Sequence, residues 1–492
     1  MGPSGSLALT SNLISLERGG DELLLVNSFH MRTMYVARGK ERVKRLLSEA
    51  ARGLTLEGLK SAFPPDADLI QLLRDHHILV DASTDKERFD RSEIATAGPR
   101  PKPRMTVYLL VTESCNLGCI YCLNGAGTYL KEGSSGMSPT VALQSVTACL
   151  EQISTGGRVE VGFFGGEPML QWPLIKEIIR GCEEELKPAY SDKQITYHLT
   201  SNLTICPPDL IEVVRRYNIT VMSDIDGPPK IHNRCRPYRH GKASHAQTAA
   251  TIRRLAAAGI PVALRATITS VNQDHIMDTV AHHKELGGTN SAVVPACPIN
   301  SDREFLPDEL LPDPDRIIAG LVEAFHSGLW EKENLFPFNQ YIAKLRPGTR
   351  QVMSCAAFSG TIPVIRVNGD VYPCIYLVGQ EKCRLGTSGD ARWDRGWLDK
   401  TLLALHVDNL QECSACPWRY ACGGGCPLTK LARWDGVNSS PKATEYARRI
   451  SCDFTKAVLT EMLWNMADEV RTDLAGRQPQ AAPSPPESTL FC

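Results

Sequence analysis

Three cysteines share one short run, Cys115-Asn116-Leu117-Gly118-Cys119-Ile120-Tyr121-Cys122. The spacing is C-x3-C-x2-C. Three thiolates on such a loop can hold three irons of a [4Fe-4S] cube and leave the fourth iron open to a small molecule. A structural zinc ion would want a fourth ligand, and none is near in sequence. A second set lies downstream: Cys355, Cys374, Cys383, Cys413, Cys416, Cys422, Cys426 and Cys452. The run Cys422-Gly423-Gly424-Gly425-Cys426 lets the backbone fold tightly around a bound group. The 492-residue chain has 17 cysteines. Its first twenty residues lack the basic, apolar and small-residue regions of a secretory signal. Clustered thiols in such a chain read as metal or cluster ligands, not as a disulfide scaffold.

The elements that must position these thiols follow from periodicity. From about 105 to 330, strand-like and helix-like segments alternate. The strands are TVYLLVT, RVEVGFFGG, QITYHLTSN, ITVMSDID, PVALRATIT and SAVVPACP. Helices are expected from Ser138, Trp172, Pro207, Ser244, Asp274 and Asp313. Ser138-Pro139 is an N-cap followed by proline at the first helical position, and Gly259 stands where a glycine would end a helix. Six β-α units in series predict a parallel sheet with helices outside it. Six are too few for a closed eight-unit barrel, so the expected fold class is α/β, an open partial (β/α)6 barrel. Ligands then gather at the C-terminal strand ends, where the cysteine loop also falls.

Residues 1–98 hold two alternating stretches, ELLLVNS and TMYVARG, then a helical run ending at Gly53, then short helices and a final apolar edge. This predicts a cysteine-free, winged-helix-like module. The polar run TDKERFDRSEIATAGPRPKPR reads as a linker, and residues 474–492 as a disordered tail. Lys+Arg is 54 and Asp+Glu is 55, a net charge of -1. No global basic field exists to capture nucleic acid. No apolar run approaches the roughly 20 residues of a membrane span. The expectation is a cytoplasmic protein with neither nucleic acid nor membrane as partner.

The C-x3-C-x2-C loop after the first barrel strand resembles the signature of the radical S-adenosylmethionine (SAM) superfamily. Phe164-Gly165-Gly166-Glu167-Pro168, at the second strand's end, is similar to the family's GGE motif. Thr200-Ser201-Asn202 ends the third strand, like the family's threonine–asparagine segment. Asp224-Ile225-Asp226-Gly227-Pro228 with His232-Asn233 and Arg236 is similar to the S-x-D-G-P…H-D-x-x-R stretch of peptide-modifying members. Here Asp224 occupies the family's serine position, and Ser223 lies one residue early. The resemblance implies that Cys115, Cys119 and Cys122 carry the catalytic cluster. It implies that Gly165, Gly166 and Glu167 hold the SAM amino group and that Asn202 lies near the ribose. Asp224 and Arg236 contact SAM, Arg265 partners its carboxylate, and Tyr121 lies against the adenine. SAM is then cleaved by one electron, from a donor such as flavodoxin or ferredoxin, to a 5′-deoxyadenosyl radical.

The block at 350–465 reads Cys355-x13-Gly369-x4-Cys374, Cys413-x2-Cys416-x5-Cys422-x3-Cys426, then Cys452. This resembles the seven-cysteine pattern of the SPASM domain, which carries two auxiliary [4Fe-4S] clusters, making three in all. Zinc is the alternative for C-x2-C with a later C-x3-C. By resemblance, Cys413, Cys416, Cys422 and Cys452 hold one cluster, and Cys355, Cys374 and Cys426 hold the other. The latter's fourth ligand is Cys297, at the sixth strand's end, or Cys383, or the site is open. Cys149, Cys182 and Cys206 read as small hydrophobes in or beside helices.

The N-terminal module resembles the PqqD-like element that binds the leader of a precursor peptide as an added strand. Residues Tyr121 to Tyr129 look like the "YC…G-G-x-Y" stretch of thioether-forming maturases. Together these imply a maturase of ribosomally made peptides that forms a sulfur-to-carbon thioether. The alternatives are carbon–carbon or carbon–oxygen cyclisation, formylglycine-type oxidation, and a non-catalytic iron–sulfur electron carrier.

Overall fold

The run Glu22–Asn27 is apolar on both faces, and the reason lies in what it touches. In the computed structural model, residues 6–83, 102–122, 136–298, 306–390, 392–434 and 440–476 are described. Strands β2 (Leu13–Arg18), β3 (Glu22–Asn27) and β4 (Arg32–Val36) form an antiparallel sheet in that order. Leu23 and Leu25 pack into a small core with Val43, Leu46, Leu59, Ile70 and Leu73 from the helices Lys40–Ala50, Leu56–Ala62 and Ala67–Asp75. Leu24 and Val26, on the opposite face, join a second core with Phe454, Met462 and Leu463 of the helix Pro441–Gly476. A strand buried on both faces loses its alternation. The N-terminal block is therefore clamped onto the rest of the chain. Arg18 adds a pair with Asp468 (2.6 Å) and lies over the Trp464 ring. The short strands β1 (Leu7–Leu9) and β5 (Leu79–Asp81) pair antiparallel beside this sheet.

Six parallel strands follow in consecutive order: β6 (Lys102–Thr112), β7 (Ile153–Gly165), β8 (Gln194–Ser201), β9 (Thr220–Asp224), β10 (Val262–Ile268) and β11 (Asn290–Pro295). The sequence places all six. Helices fill the connections at Pro139–Gln152, Trp172–Gly181, Leu210–Arg216, His245–Ala257 and Ile276–Glu285, and Pro314–His326 follows β11. Ser138 accepts from the Val141 N–H (3.2 Å) as the expected N-cap. Gly259 takes the left-handed conformation, φ 72°, after the helix ending at Ala257.

The sheet reaches further than the six units. β12 (Leu335–Phe336) adds in parallel to β11. At the other edge β13 (Val364–Ile365) pairs in parallel with Tyr108 and Leu109 of β6, and β14 (Asp370–Tyr372) and β15 (Gly386–Thr387) continue it antiparallel. One mostly parallel ten-stranded sheet thus spans the middle and last blocks. Two boundaries shift. Lys102–Arg104, expected in the linker, begin β6; Pro103 is tolerated because the register slips there. The final helix runs to Gly476, past the expected onset of the tail at 474. The rest of the expected linker and tail, and residues 123–129 of the thioether-like stretch, lie outside the described residues. Among the described residues, no helix is long and apolar enough to cross a membrane.

Candidate functional site

The site begins where β6 and β7 stop. Gly166 N–H donates to Thr112 O (2.9 Å), and Glu167 N–H to Ser114 O (2.8 Å). A Cβ on Gly165 would overlap Thr112 O, and one on Gly166 would overlap Ser114 O; Gly165 also has φ 133°. Only glycine permits this approach. The glycine pair therefore fixes the backbone from which Cys115 departs. Arg366, one residue past β13, reinforces it through a two-pronged bond to Glu113 (2.9 and 3.2 Å), both side chains being buried.

Glu167 is buried and accepts from Met169 N–H (2.9 Å), Ser201 Oγ–H (2.7 Å) and Asn202 N–H (2.7 Å). Burial raises its pKa against those three bonds. A carboxylate has about four acceptor positions. One is left for an ammonium group, while three tie β7 to the end of β8. Asn202 donates its amide to Asn116 Oδ1 (2.9 Å) and lies 4.0 Å from Cys115 Sγ. Asn116 donates in turn to Thr204 Oγ1 (2.8 Å), and Leu117 N–H points at Cys115 Sγ (3.4 Å).

The far side of the loop lies against residues 235–239. Gly118 N–H donates to Pro237 O (2.8 Å), Ile120 N–H to Cys235 O (3.0 Å) and Arg239 N–H to Asn116 O (3.1 Å). Leu117 and Tyr238 form an antiparallel bridge. The three thiols thus sit on a loop held from both sides, each within electrostatic reach of the others.

A buried charge network lies beside them. Tyr121 Oη–H donates to Asp226 Oδ2 (2.6 Å) and accepts from Arg236 Nη1 (2.8 Å). Asp226 Oδ1 accepts from Thr267 N–H (3.1 Å), and Asp226 N–H donates to His232 Nδ1 (3.2 Å). Arg265 grips Asp224 with Nε (2.5 Å) and Nη2 (3.2 Å), and Arg236 stands 3.5 Å from the same carboxylate. Burial alone would raise Asp224; Arg265 and Arg236 outweigh it and hold the carboxyl below its usual value. Burial wins at Asp226 and pushes it up to about 6. Two aspartates two residues apart project from one side of an extended segment, which is the signal that sequence reading passed over at Asp226. In this structure the Tyr121 phenol and the Arg265 guanidinium, expected at the adenine and the SAM carboxylate, are engaged within the network.

Burial pushes the Cys115 thiol up to about 11 and Cys119 higher still. Thiolates there need compensating positive charge, which an iron cluster supplies and Arg236 begins to supply. Among the described residues Arg236 Nε is buried with no hydrogen-bond partner, a donor that an anionic group at the loop would satisfy. These residues fit a cluster-bound anionic ligand.

The downstream cysteines fall into two groups. Cys413 lies within electrostatic reach of Cys422 and Cys452, and Cys422 of Cys452 and Cys416. Cys374 lies within reach of Cys355, Cys426 and Cys297. Cys383 is fully buried in the main apolar core. Cys149, Cys182 and Cys235 are buried too, while Cys206 is half-buried, 3.2 Å from Arg254 Nη1. Among the described residues, no three His, Cys, Asp or Glu side chains could together hold a single metal ion.

Residues 109–282 match the family model of the Radical SAM superfamily. That segment of the chain is similar to the radical SAM superfamily. It is 27% identical over 271 residues to the uncharacterized protein MJ0907 of Methanocaldococcus jannaschii, covering 55% of this chain and 85% of that one. It is 22% identical over 340 residues to the cysteine-type anaerobic sulfatase-maturating enzyme of Clostridium perfringens, covering 66% of this chain and 89% of the enzyme. A solved structure of native anSMEcpe with bound AdoMet and Kp18Cys peptide superposes with a TM-score of 0.57 at 19% identity, covering 75% of this chain and all of that one. That likeness is one of fold. The matched segment includes the cysteine loop, the GGE turn and the Asp224–Arg265 network.

Proposed function

We propose that the chain is a radical SAM maturase of a ribosomally made peptide, with two auxiliary clusters in its last block and thioether formation as its reaction. One observation carries the reading. The C-x3-C-x2-C loop leaves the first parallel strand at a point fixed by Gly165 and Gly166, with the unpartnered Arg236 Nε beside it. Cys115, Cys119 and Cys122 would hold a [4Fe-4S] cluster that could supply one electron to SAM, and the downstream cysteines would hold clusters that could accept one. The residues around them bind and orient. Gly165 and Gly166 allow close backbone approach, Glu167 and Asn202 lock the strand ends, and Arg236 offers a buried cationic donor. The similarity to a sulfatase-maturating enzyme supports a polypeptide substrate. The antiparallel sheet of residues 13–36 supports leader binding by strand addition.

Joining a thiol to a C–H carbon as a thioether would take two hydrogens from the peptide, one as a hydrogen atom and one as a proton with an electron. Anaerobically reconstituted protein with dithionite and SAM should release 5′-deoxyadenosine. Co-expression with the cognate peptide should give a product two hydrogens lighter per link, with the linked thiols closed to alkylation. Deoxyadenosine release with thiols still alkylatable would overturn the thioether and leave a carbon–carbon or carbon–oxygen link. No release from protein with intact clusters would favour an electron carrier.

A further inference from the structure

The three cysteines assigned by pattern to the second auxiliary cluster, Cys355, Cys374 and Cys426, come from three separate loops. Their convergence has a visible cause. Gly423, Gly424 and Gly425 all have left-handed φ, 73°, 83° and 75°. A Cβ on Gly423 would stand 2.7 Å from Ser354 N, and one on Gly425 would stand 2.9 Å from Ser451 O. The hydroxyl of Ser354 also donates to Gly425 O. The turn is thus wedged between the residue before Cys355 and the residue before Cys452. Cys422, at its start, faces one group of thiols and Cys426, at its end, faces the other.

A fourth thiol, from another part of the fold, lies within electrostatic reach of Cys374 and Cys426. Cys297 lies two residues beyond β11. Ala296 N–H continues the β10–β11 ladder to Ile268 O (2.8 Å), so the backbone there is still held by the sheet. Tyr446, on the final helix, donates to Ala296 O (2.7 Å), and its ring is buried. The backbone entering Cys297 is therefore fixed from both sides. Tyr376, two residues after Cys374, lies within electrostatic reach of Cys297, Cys426 and Cys374 together. Cys426 lies within electrostatic reach of Cys297 and Cys355 as well as of Cys374. Cys383 is fully buried with Leu377, Leu385 and Trp393 in the apolar core that Cys297, Cys355 and Cys374 border.

We infer that Cys297, supplied by the sixth barrel strand, is the fourth ligand of the auxiliary [4Fe-4S] cluster held by Cys355, Cys374 and Cys426. The cluster is then closed, with a thiolate on every iron, and straps the last block to the mouth of the parallel sheet. Cys297 gives up its thiol proton on ligation. A closed site exchanges electrons without binding substrate sulfur, whereas three ligands would leave an iron open to it. The inference rests on the two-cluster reading of the last block, and the test separates the two.

Iron, sulfide and Mössbauer spectra are measured on the anaerobically purified wild type and on Cys297→Ser, Cys383→Ala and Cys355→Ala. Full loading is about twelve irons per chain. Cys297→Ser should lose between one and four irons, with a three-iron signal or the loss of one cluster's spectrum, while Cys383→Ala keeps all of them. Cys355→Ala should lose iron as well. If Cys355→Ala loses iron and Cys297→Ser matches wild type, the inference fails and the two-cluster reading stands. If neither loses iron, both fail. Alkylation of unmutated protein gives a reading independent of folding. Cys297 should stay unlabelled in the holoprotein and become labelled, together with Cys355, Cys374 and Cys426, after iron is stripped with ferricyanide and EDTA. Labelling of Cys297 before stripping contradicts the assignment, as does failure to label it afterwards when the other three react.

Discussion

Gly166→Ala puts the positioning of the cysteine loop to the test with a single methyl group. Its Cβ would stand 2.8 Å from Glu113 O and closer still to Ser114 O and C, where ordinary contact begins near 3.4 Å. The obstacle is backbone, so no flexible side chain can swing aside. Residues 113–114 must retreat by more than half an ångström. That movement strains two bonds, Gly166 N–H to Thr112 O and Glu167 N–H to Ser114 O, and displaces Cys115. Overpacking costs about 1–3 kcal/mol, and each of the two weakened bonds adds about 1 kcal/mol, so a loss of roughly 3–5 kcal/mol is expected. The assay is the denaturant midpoint together with deoxyadenosine release. Gly20→Ala is the control, because a Cβ there meets nothing within 4 Å. Gly166→Ala should lower the midpoint and abolish SAM cleavage, while Gly20→Ala does neither. Wild-type midpoint and cleavage in Gly166→Ala would refute the claim that the glycine pair sets the loop.

Three further outcomes follow from named contacts. Arg366→Met leaves Glu113 buried without its partner and should cost about 3–5 kcal/mol; adding Glu113→Gln should recover most of that loss in the same denaturant titration. Gly423→Ala and Gly424→Ala share the left-handed backbone, but Gly423 meets Ser354 N at 2.7 Å whereas Gly424 meets only side chains at 3.3 Å or more; iron analysis should show loss from the last block in the first variant alone. His283 is buried between Ile225 O and Ser291 Oγ, and burial lowers its pKa to about 4. The unfolded chain therefore takes up its proton first as pH falls, and stability present above about 6.5 is lost on acidification. This amounts to about 2 kcal/mol between pH 7 and 5, so denaturation midpoints measured at the two pH values should converge more in His283→Gln than in wild type.

The six parallel strands were legible because each is a short β-branched or aromatic run bounded by glycine, proline or a capping serine. The sheet's extensions were not. β12 and β13 are two residues each, too short to show a period, and the parallel pairing of β13 with β6 depends on residues more than 250 positions apart. β3 showed its apolar run but not its two-sided burial, since the second face is covered by a helix near the far end of the chain. At the site, motif spacing singled out the cysteine loop and the glycine pair, which the structure brings together at the ends of β6 and β7. It could not show that Glu167 is held by Ser201 and Asn202, or that Arg265 is paired with Asp224, because such partners are chosen by strand register. Asp226 was visible in the sequence without a role; the role came from Tyr121, 105 residues upstream.

The central claim is that Cys115, Cys119 and Cys122 hold a cluster with one iron left for SAM. Mössbauer spectra of anaerobic, iron-57-loaded protein, recorded with and without SAM, address it directly. One iron per chain should change its isomer shift and quadrupole splitting when SAM is added, and the change should disappear in Cys119→Ala. Spectra that superimpose with and without SAM, from protein whose first cluster is fully loaded, would contradict it.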